Sequence, residues 1–298
     1  MSFTESGFVV IDKPQGVTSH DVVGIVRKTL GTRKVGHAGT LDPMATGVLV
    51  VGINQATRLL DYIVAGQKEY LATVRLGMNT ISDDAEGETI STTDASHLDF
   101  EEIKKSFAKN VGKISQLPSK VSAKKVQGKR AHALVREGVE FELQPRQVEI
   151  DEIEIKTITK SGEFADVEIR VKCSAGTYIR AIARDVGADL GVGGHLISLR
   201  RTLVAPFDLT QSQSLESPLE LIDVFTATSK TLPTVEVDLE VAKQISFGKP
   251  LTILKLDSNE PSALTFNKQV LAVVQQNSAG GIDYRAVFAS GSDLDAED

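Results

Sequence analysis

Two hydrophobic periodicities alternate along this chain of 298 residues. Residues 8–11 and 48–53 are almost continuously apolar, which is typical of strands buried on both faces. In 69–76 and 165–173 the apolar residues fall mainly on every second position, which indicates strands with one buried face. Residues 147–158 have strand character as well, and Ser161-Gly162 lies where a turn would join them to 165–173.

Three stretches instead place apolar residues three and four positions apart, as an amphipathic helix requires. We expect Ser19 to cap the first helix, Gly31 to end it, and Asp99 to cap the second. The apolar faces are Val22, Ile25, Val26 and Leu30; Phe100, Ile103 and Phe107; and Ile179, Ile182, Val186 and Leu190, followed by Gly191.

Strands and helices are interleaved without a regular strand–helix–strand alternation. This order predicts an α+β fold with a mixed, largely antiparallel sheet. The best domain boundary falls at 226–232, where small and polar residues precede Pro233. We therefore expect one domain over 1–228 and a small β domain over 232–298. In the second domain, 251–254 and 270–274 are the apolar runs, and 291–298 are expected to be disordered.

A glycine-rich loop at 34–47 contains the chain's most distinctive chemistry. It holds three glycines, His37 and Asp42, directly before an apolar strand. Glycines permit positive φ angles and close approach to a ligand, and a carboxylate in such a loop is placed like a nucleophile or general base. Asp42-Pro43 is equally typical of a helix start, with Asp as the cap and Pro in the first turn. Local chemistry leaves both interpretations open.

The net charge of −7 is unevenly distributed. Residues 231–298 hold ten acidic and five basic side chains, a balance of −5, so the remaining 230 residues sum to −2. Within 113–146, eight basic side chains face three acidic ones, a local charge of +5. A phosphate backbone responds to such a local patch and not to the total charge. A solvated surface is the alternative explanation of this segment.

Composition excludes several classes of protein. No run of eighteen apolar residues is present, so no membrane span is expected, and the first residues lack the pattern of a signal peptide. The single cysteine, Cys173, cannot form an intramolecular disulfide, which suits the cytoplasm, and it falls on the predicted buried face of 165–173. Five scattered histidines give no metal-ligand spacing, and the glycine-rich loop lacks the Gly-Lys-Ser/Thr ending of a phosphate-binding loop.

The motif Gly36-His37-Ala38-Gly39-Thr40-Leu41-Asp42-Pro43 resembles the signature of the bacterial tRNA pseudouridine synthase B family. Further motifs agree with that family in order and spacing across residues 7 to about 207. They are Asp12-Lys13-Pro14-Gln15-Gly16-Val17-Thr18-Ser19, Lys68-Glu69-Tyr70, Leu76-Gly77-Met78-Asn79-Thr80 with Asp83, Asp84 and Gly87, Ser122-Ala123 with Lys125, Cys173-Ser174-Ala175-Gly176-Thr177-Tyr178-Ile179-Arg180, and Leu199-Arg200-Arg201-Thr202.

The resemblance implies an isomerase that converts the uridine of the T-arm loop, tRNA position 55, to pseudouridine. It implies the pseudouridine synthase fold over 1–228 and a PUA-like RNA-binding module over 232–298. The implied catalytic residues are Asp42, Tyr70 and Arg180, with Arg180 pairing with Asp42. The implied substrate-binding residues are Lys13, His37, Tyr70, Lys124, Lys125, Tyr178 and Leu199, of which Tyr70 stacks on the uracil and His37 sits where flipped bases were.

The expected partner is tRNA, bound through its T-arm stem-loop, and the enzyme is expected to be a cytoplasmic monomer without metal or cofactor. Isomerisation consumes no external reactant and changes no oxidation state, so neither nicotinamide nor metal is required. Two alternatives come from other classes of protein. One is an RNA-binding or tRNA-folding protein with vestigial catalytic residues, and the other is an enzyme that binds nucleotide phosphates with the glycine-rich loop.

Overall fold

The computed structural model describes residues 3–119, 125–126, 129–130, 143–251, 256 and 258–289. The helices within this part are α1 (Ser19–Leu30), α2 (Leu60–Ala65), α3 (Phe100–Ala108), α4 (Ile179–Asp189), α5 (Val224–Thr231) and α6 (Leu239–Ser246). The strands are β1 (Gly7–Lys13), β2 (Val35–His37), β3 (Thr46–Ile53), β4 (Lys68–Leu76), β5 (Met78–Thr80), β6 (Thr89–Thr92), β7 (Gly112–Gln116), β8 (Lys125–Val126), β9 (Lys129–Arg130), β10 (Arg146–Ser161), β11 (Phe164–Cys173), β12 (Gly194–Val204), β13 (Phe207–Asp208), β14 (Ile222–Asp223), β15 (Thr234–Glu236), β16 (Ser262–Phe266), β17 (Gln269–Gln276) and β18 (Ile282–Val287).

The predicted α+β fold with a largely antiparallel sheet is confirmed. In the described part of the chain the largest sheet has ten strands, in the order β14-β1-β3-β12-β4-β11-β10-β7, with β2 beside β3 and β13 beside β12. Strands β12 and β3 pair in parallel, and the other pairs are antiparallel. This parallel pair sets Arg200 and Arg201 opposite Thr46 and Gly47, the last two residues of the glycine-rich loop.

The two faces of this sheet bury separate cores. Helices α1, α3 and α4 cover one face, and residues of β3, β4 and β11 point into the layer between them. Helices α2 and α5 cover the other face near β1 and β3, where residues of β16 and β17 also contribute. Strand β3 is buried along nearly its whole length because it lies under both layers. That position accounts for the uninterrupted apolar run at 48–53.

A separate four-stranded sheet, β15-β16-β17-β18, follows α5 and packs against α6. The apolar run 270–274 forms the middle of β17, as expected of a strand. The small and polar residues 226–231, where the domain boundary is predicted, form most of helix α5, and Ala227 and Thr228 are buried there. Residues 252–254 and 291–298 lie outside the described residues. The boundary between 228 and 232 stays a prediction.

Local signals predicted most elements and failed at four places. Ile25 was expected on the apolar face of α1 but is 38% exposed. Thr18, not Ser19, caps α1 in a capping box with Asp21, whereas Gly31 ends α1 in the left-handed conformation as expected. Asp99 caps α3, but Phe100 is exposed and does not share the buried face of Ile103 and Phe107. No helix begins at Asp42-Pro43.

Candidate active site

Asp42 lies in a turn between β2 and β3, so the interpretation of this residue as a helix cap is wrong. The Ala45 amide donates to the Asp42 carbonyl over 3.1 Å, and the chain then enters β3 directly. No helix forms because the backbone on both sides of Asp42 is bonded to other parts of the fold. The Asp42 carboxylate therefore does not act as a helix cap.

The segment 13–19 holds the backbone on both sides of Asp42. The Ser19 hydroxyl accepts from the Leu41 amide over 2.8 Å and donates to the Leu41 carbonyl over 3.2 Å. The Gly16 amide donates to the Pro43 carbonyl over 2.8 Å, and the Lys13 ammonium donates to the same oxygen over 3.3 Å. These contacts fix the position of the Asp42 Cα without involving its side chain.

Lys13 is fully buried, although the sequence predicted that it contacts the substrate. Besides Pro43, its ammonium donates to the carbonyls of Pro14 over 2.9 Å and of Val17 over 2.7 Å. Burial lowers the pKa of Lys13 to about 8, although the nearby Asp42 carboxylate opposes that shift. At 0% exposure it offers a bound molecule no surface in this structure.

Arg201 holds the glycine-rich loop and β3 through hydrogen bonds to their backbones. Its guanidinium donates to the carbonyls of Val48 over 2.8 Å and of Gly39 over 3.0 Å, and only 2% of the residue is exposed. Gly47 lets the β12 backbone approach β3 closely, because a Cβ there would lie 2.1 Å from the Arg201 carbonyl oxygen and φ is +100°. The sequence placed Arg201 in a motif but assigned it no role.

Arg180 joins two carboxylates and is itself buried. Its Nε lies 3.1 Å from Asp42 Oδ2, and one of its terminal nitrogens lies 3.0 Å from Asp84 Oδ2. The same terminal nitrogen donates to the Ser82 carbonyl over 2.9 Å. Arg180 is 5% exposed, so these bonds have little competition from water. The pairing of Asp42 with Arg180, which was expected from the resemblance alone, is present in the structure.

Asp84 was not predicted as a site residue. It is 3% exposed, and its second oxygen accepts from the Ser82 hydroxyl over 2.5 Å and from the Glu86 amide over 3.1 Å. A carboxylate held this firmly fixes the guanidinium of Arg180 against Asp42. The only signal in the sequence was its place in the motif with Asp83 and Gly87, 96 residues before Arg180.

Burial raises the pKa of Asp42 above the ordinary range of an aspartate. Arg180 and Lys13 lower it, while the negative charge of Asp84 raises it further. The side chain still keeps 35% of its surface exposed, whereas that of Arg180 keeps 6%. A carboxylate that is reachable from one side and bound to a cation on the other is suited to nucleophilic or general-base chemistry.

Tyr70 and Leu199 lie on the same face of neighbouring strands. Tyr70 of β4 is opposite Arg201 of β12, and Leu199 is opposite Ala72, so Tyr70 and Leu199 are diagonal neighbours. Burial raises the pKa of the Tyr70 hydroxyl. The Arg201 guanidinium beside it lowers that pKa, and the negative charge of Asp42 raises it slightly. Leu199 adds a buried apolar side chain next to Tyr70.

His37 and Tyr178 are each close in sequence to a residue of the Asp42–Arg180 pair. His37 ends β2, five residues before Asp42, and burial and the Arg201 charge lower its pKa. Tyr178 is the residue before α4, two positions from Arg180. The Gln116 side chain accepts from the Tyr178 amide over 2.8 Å and donates to its carbonyl over 3.0 Å. These bonds fix the start of α4 and with it Arg180.

The position of the two predicted RNA-binding lysines relative to Asp42 stays a prediction. Lys124 lies outside the described residues. Lys125 begins β8, whose backbone pairs with β9 through Lys125 and Arg130. The described part of 113–146 otherwise contains β7, which pairs with β10 at the edge of the large sheet.

Neither metal-ion sites nor membrane spans are found in the described part of the chain. No group of three or more His, Cys, Asp and Glu residues is placed there to hold a metal ion. None of the described helices has the length and hydropathy needed to cross a bilayer.

Comparison with protein families gives matches over most of the chain. Residues 27–179 match the model of the TruB family pseudouridylate synthase N-terminal domain, and 180–232 match the tRNA pseudouridylate synthase B C-terminal domain. Among curated relatives, tRNA pseudouridine synthase B of Cutibacterium acnes is 50% identical over 260 residues, which are 85% of this chain and 87% of the relative. The protein of the same name from Rhodococcus jostii is 52% identical over 249 residues, 82% of each chain.

Solved structures agree on the fold. A chain in the crystal structure of a Cbf5–Nop10–Gar1 complex superposes with a TM-score of 0.73 at 25% identity, covering 98% of this chain and 87% of that one. A chain in the structure of an H/ACA ribonucleoprotein bound to a substrate RNA containing 2′-deoxyuridine has a TM-score of 0.71 at 24% identity. That match covers 97% of this chain and 86% of that one.

Proposed function

The chain belongs to the TruB family of pseudouridylate synthases, and on that premise we propose that it isomerises the uridine at position 55 in the T-arm loop of tRNA. The observation that best supports a working enzyme is the contact between Arg180 and Asp42 inside the glycine-rich loop. A protein that only binds RNA has no need for a partly exposed carboxylate paired with a buried guanidinium. Asp42, Tyr70 and Arg180 come from one chain, so we propose a monomer, which would act on tRNA in the cytoplasm.

The reaction requires that the C1′–N1 bond breaks, that the freed uracil turns, and that C1′ bonds to C5. The hydrogen on C5 then leaves as a proton and N1 takes up a proton, so the isomerisation is balanced without a cofactor. We propose that Asp42 acts as a carboxylate, by adding either to uracil C6 or to ribose C1′. Arg180 favours the ionised form in both routes, since the pKa of Asp42 would rise further without it.

The target base must leave the stack of the tRNA loop before Asp42 can reach it. We propose that Tyr70 stacks on the flipped uracil and that Tyr178 and Leu199 line the pocket around it. Leu199 would also keep water from the intermediate. His37, at the end of β2, would contact the RNA where the flipped bases had been.

Lys13 has a different proposed role from the one expected of it. Its three bonds to backbone carbonyls support a positioning role, in which it holds Pro43 and thereby the turn around Asp42. Its positive charge also lowers the pKa of Asp42. We therefore propose that Lys13 acts on the reaction through Asp42 and not by contact with RNA.

We expect the purified protein to release tritium from a T-arm stem-loop transcript labelled at uracil C5. Release follows from the loss of the C5 hydrogen, and it should equal the pseudouridine found by nuclease digestion and chromatography. A transcript with cytidine at the target position and label elsewhere in the loop serves as control. Binding without release would favour the tRNA-folding protein with vestigial catalytic residues.

The basic segment 113–146 gives a prediction about binding that depends on its sequence. Replacement of Lys124, Lys125, Lys129 and Arg130 by alanine should weaken tRNA binding and flatten its salt dependence. Each lost phosphate contact should reduce the slope of log K against log salt by roughly 0.7–0.9. An unchanged slope, measured by filter binding at several salt concentrations, would mean that this segment faces solvent.

A further inference from the structure

A second basic region lies on the amino-terminal side of Asp42. Residues 22–41 contain Arg27, Lys28, Arg33 and Lys34 and no aspartate or glutamate, in a chain whose net charge is −7. Lys28, Arg33 and Lys34 are exposed, and Arg27 is half-buried. We call these four residues the α1–β2 patch, because they lie at the end of α1 and in the connection to β2.

Helix α1 and strand β2 each connect the α1–β2 patch to a residue near Asp42. Helix α1 begins at Ser19, which holds Leu41, and at 1.5 Å per residue Lys28 follows about 13 Å further along the helix. Strand β2 separates Lys34 from His37 by three residues, or about 10 Å. The helix and the strand meet where the Arg27 guanidinium donates to the Val35 carbonyl over 2.9 Å. Lys34 is therefore roughly 10 Å from His37, and Lys28 is roughly 13 Å from the end of α1 that holds Leu41.

The cations of this patch differ from most arginines of the large sheet and α4. Arg75, Arg170, Arg184 and Arg200 each pair with a carboxylate within 3.4 Å. By contrast, no carboxylate of the described residues lies within 4.0 Å of a cation in the α1–β2 patch. The negative end of the α1 dipole explains basic residues in its last turn, which are Arg27 and Lys28. It does not explain Arg33 and Lys34, which follow the helix.

We propose that the α1–β2 patch binds the phosphate backbone of the RNA stem that presents the target uridine. This inference rests on the proposed function and extends it from the flipped base to the duplex beside it. An RNA duplex is held mainly through its phosphates and 2′-hydroxyls, because side chains cannot read its deep, narrow major groove. The lysine and arginine side chains of the patch form no ion pair among the described residues and lie roughly 10 Å or more from His37, so they suit phosphates of the stem beyond the base pairs next to the loop.

The test is the double variant Arg33→Glu/Lys34→Glu, compared with Lys104→Glu/Lys105→Glu. Both change the net charge equally, but Lys104 and Lys105 are exposed on α3, a helix that packs against α4 and β10. We expect the patch variant to raise the Kd for a T-arm stem-loop about tenfold at low salt. Its salt slope should fall by about 1.4–1.8, which corresponds to two lost phosphate contacts. The α3 variant should bind within about twofold of the unaltered protein.

A shortened RNA separates stem contacts from general attraction. On a hairpin whose stem keeps only the pairs next to the loop, the patch variant and the unaltered protein should bind with similar affinity. Equal loss of binding on both hairpins, equal loss in both double variants, or an unchanged salt slope would each overturn the inference. Thermal unfolding of both variants, with midpoints close to that of the unaltered protein, excludes a folding defect as the cause.

Failure of the proposed function would look different. If the unaltered protein released no tritium from the T-arm substrate, the assignment of the target uridine would be wrong whatever the variants did. If it released tritium while the patch variant bound both hairpins normally, only the inference about the α1–β2 patch would be lost.

Discussion

The Asp42→Asn variant should form no detectable pseudouridine while it binds tRNA within a few-fold of the unaltered protein. An amide has nearly the same shape as a carboxylate but cannot attack carbon or stay negatively charged beside Arg180. Loss of a covalent nucleophile lowers turnover on the order of 10⁶-fold in well-studied hydrolases, so the residual rate should fall below detection. Tritium release under single-turnover conditions measures the rate, and filter binding measures the affinity.

The matched control is Asp61→Asn, the same substitution at an exposed position of α2. It should release tritium at the unaltered rate. Because Leu41 and Pro43 are held through their backbones, Asp42→Asn should leave the loop in place and thermal stability nearly unchanged. Turnover retained by a preparation free of the unaltered enzyme would remove Asp42 from the catalytic centre.

The sequence predicted those helices and strands that pack against the core with one face only, because this packing makes their apolar residues periodic. Strand β4 alternates because one face meets the core and the other carries polar side chains such as Arg75. Helix α4 repeats its apolar residues because it lies on that same core. In both elements the contact that determines the pattern is uniform along the length, so a local window contains the necessary information.

Local reasoning failed where a distant part of the chain determines the outcome. Asp42-Pro43 has the chemistry of a helix start, but Lys13, Gly16 and Ser19 hold the backbone around it in a turn. Ser19 likewise could cap α1, but its hydroxyl is bonded to Leu41, 22 residues away, and Thr18 caps instead. A residue that suits two roles is assigned by its tertiary partners, which no local pattern shows.

The charged residues of the candidate site also depend on tertiary contacts that a local pattern does not show. Similarity to a family motif was enough to pair Arg180 with Asp42, whereas Asp84 was missed although it contacts the same guanidinium. Its burial depends on a loop that joins Asp83 to Leu196 of β12 through a backbone hydrogen bond of 3.0 Å. The contribution of Arg201 depends on the parallel pairing of β12 with β3. Both contacts require the assembled sheet.

Arg180→Lys should lower single-turnover pseudouridine formation by about 10²- to 10³-fold, the range observed when one fixed electrostatic donor is removed from an active site. Lysine keeps the charge, but a single ammonium cannot bond to Asp42, Asp84 and the Ser82 carbonyl with the geometry of a planar guanidinium. Arg180→Ala should do at least as much damage. It should also lower the free energy of unfolding by about 3–5 kcal/mol, because the buried Asp84 loses its cation.

The pH dependence separates an effect on Asp42 from a general loss of structure. Asp42 acts as a carboxylate, so the rate falls as the pH drops through its pKa, and Arg180 holds that pKa down against the effect of burial. A weaker contact lets the pKa rise, and the acid limb of the Arg180→Lys profile should therefore move to higher pH.

Arg75→Lys is the control for this substitution. It alters a bidentate pair with Asp166, formed over 2.8 and 2.7 Å between β4 and β11, outside the site. Its rate and its acid limb should match those of the unaltered protein. If Arg180→Lys did the same, Arg180 would be a structural partner of Asp84, and Asp42 would owe its ionisation to Lys13 and water.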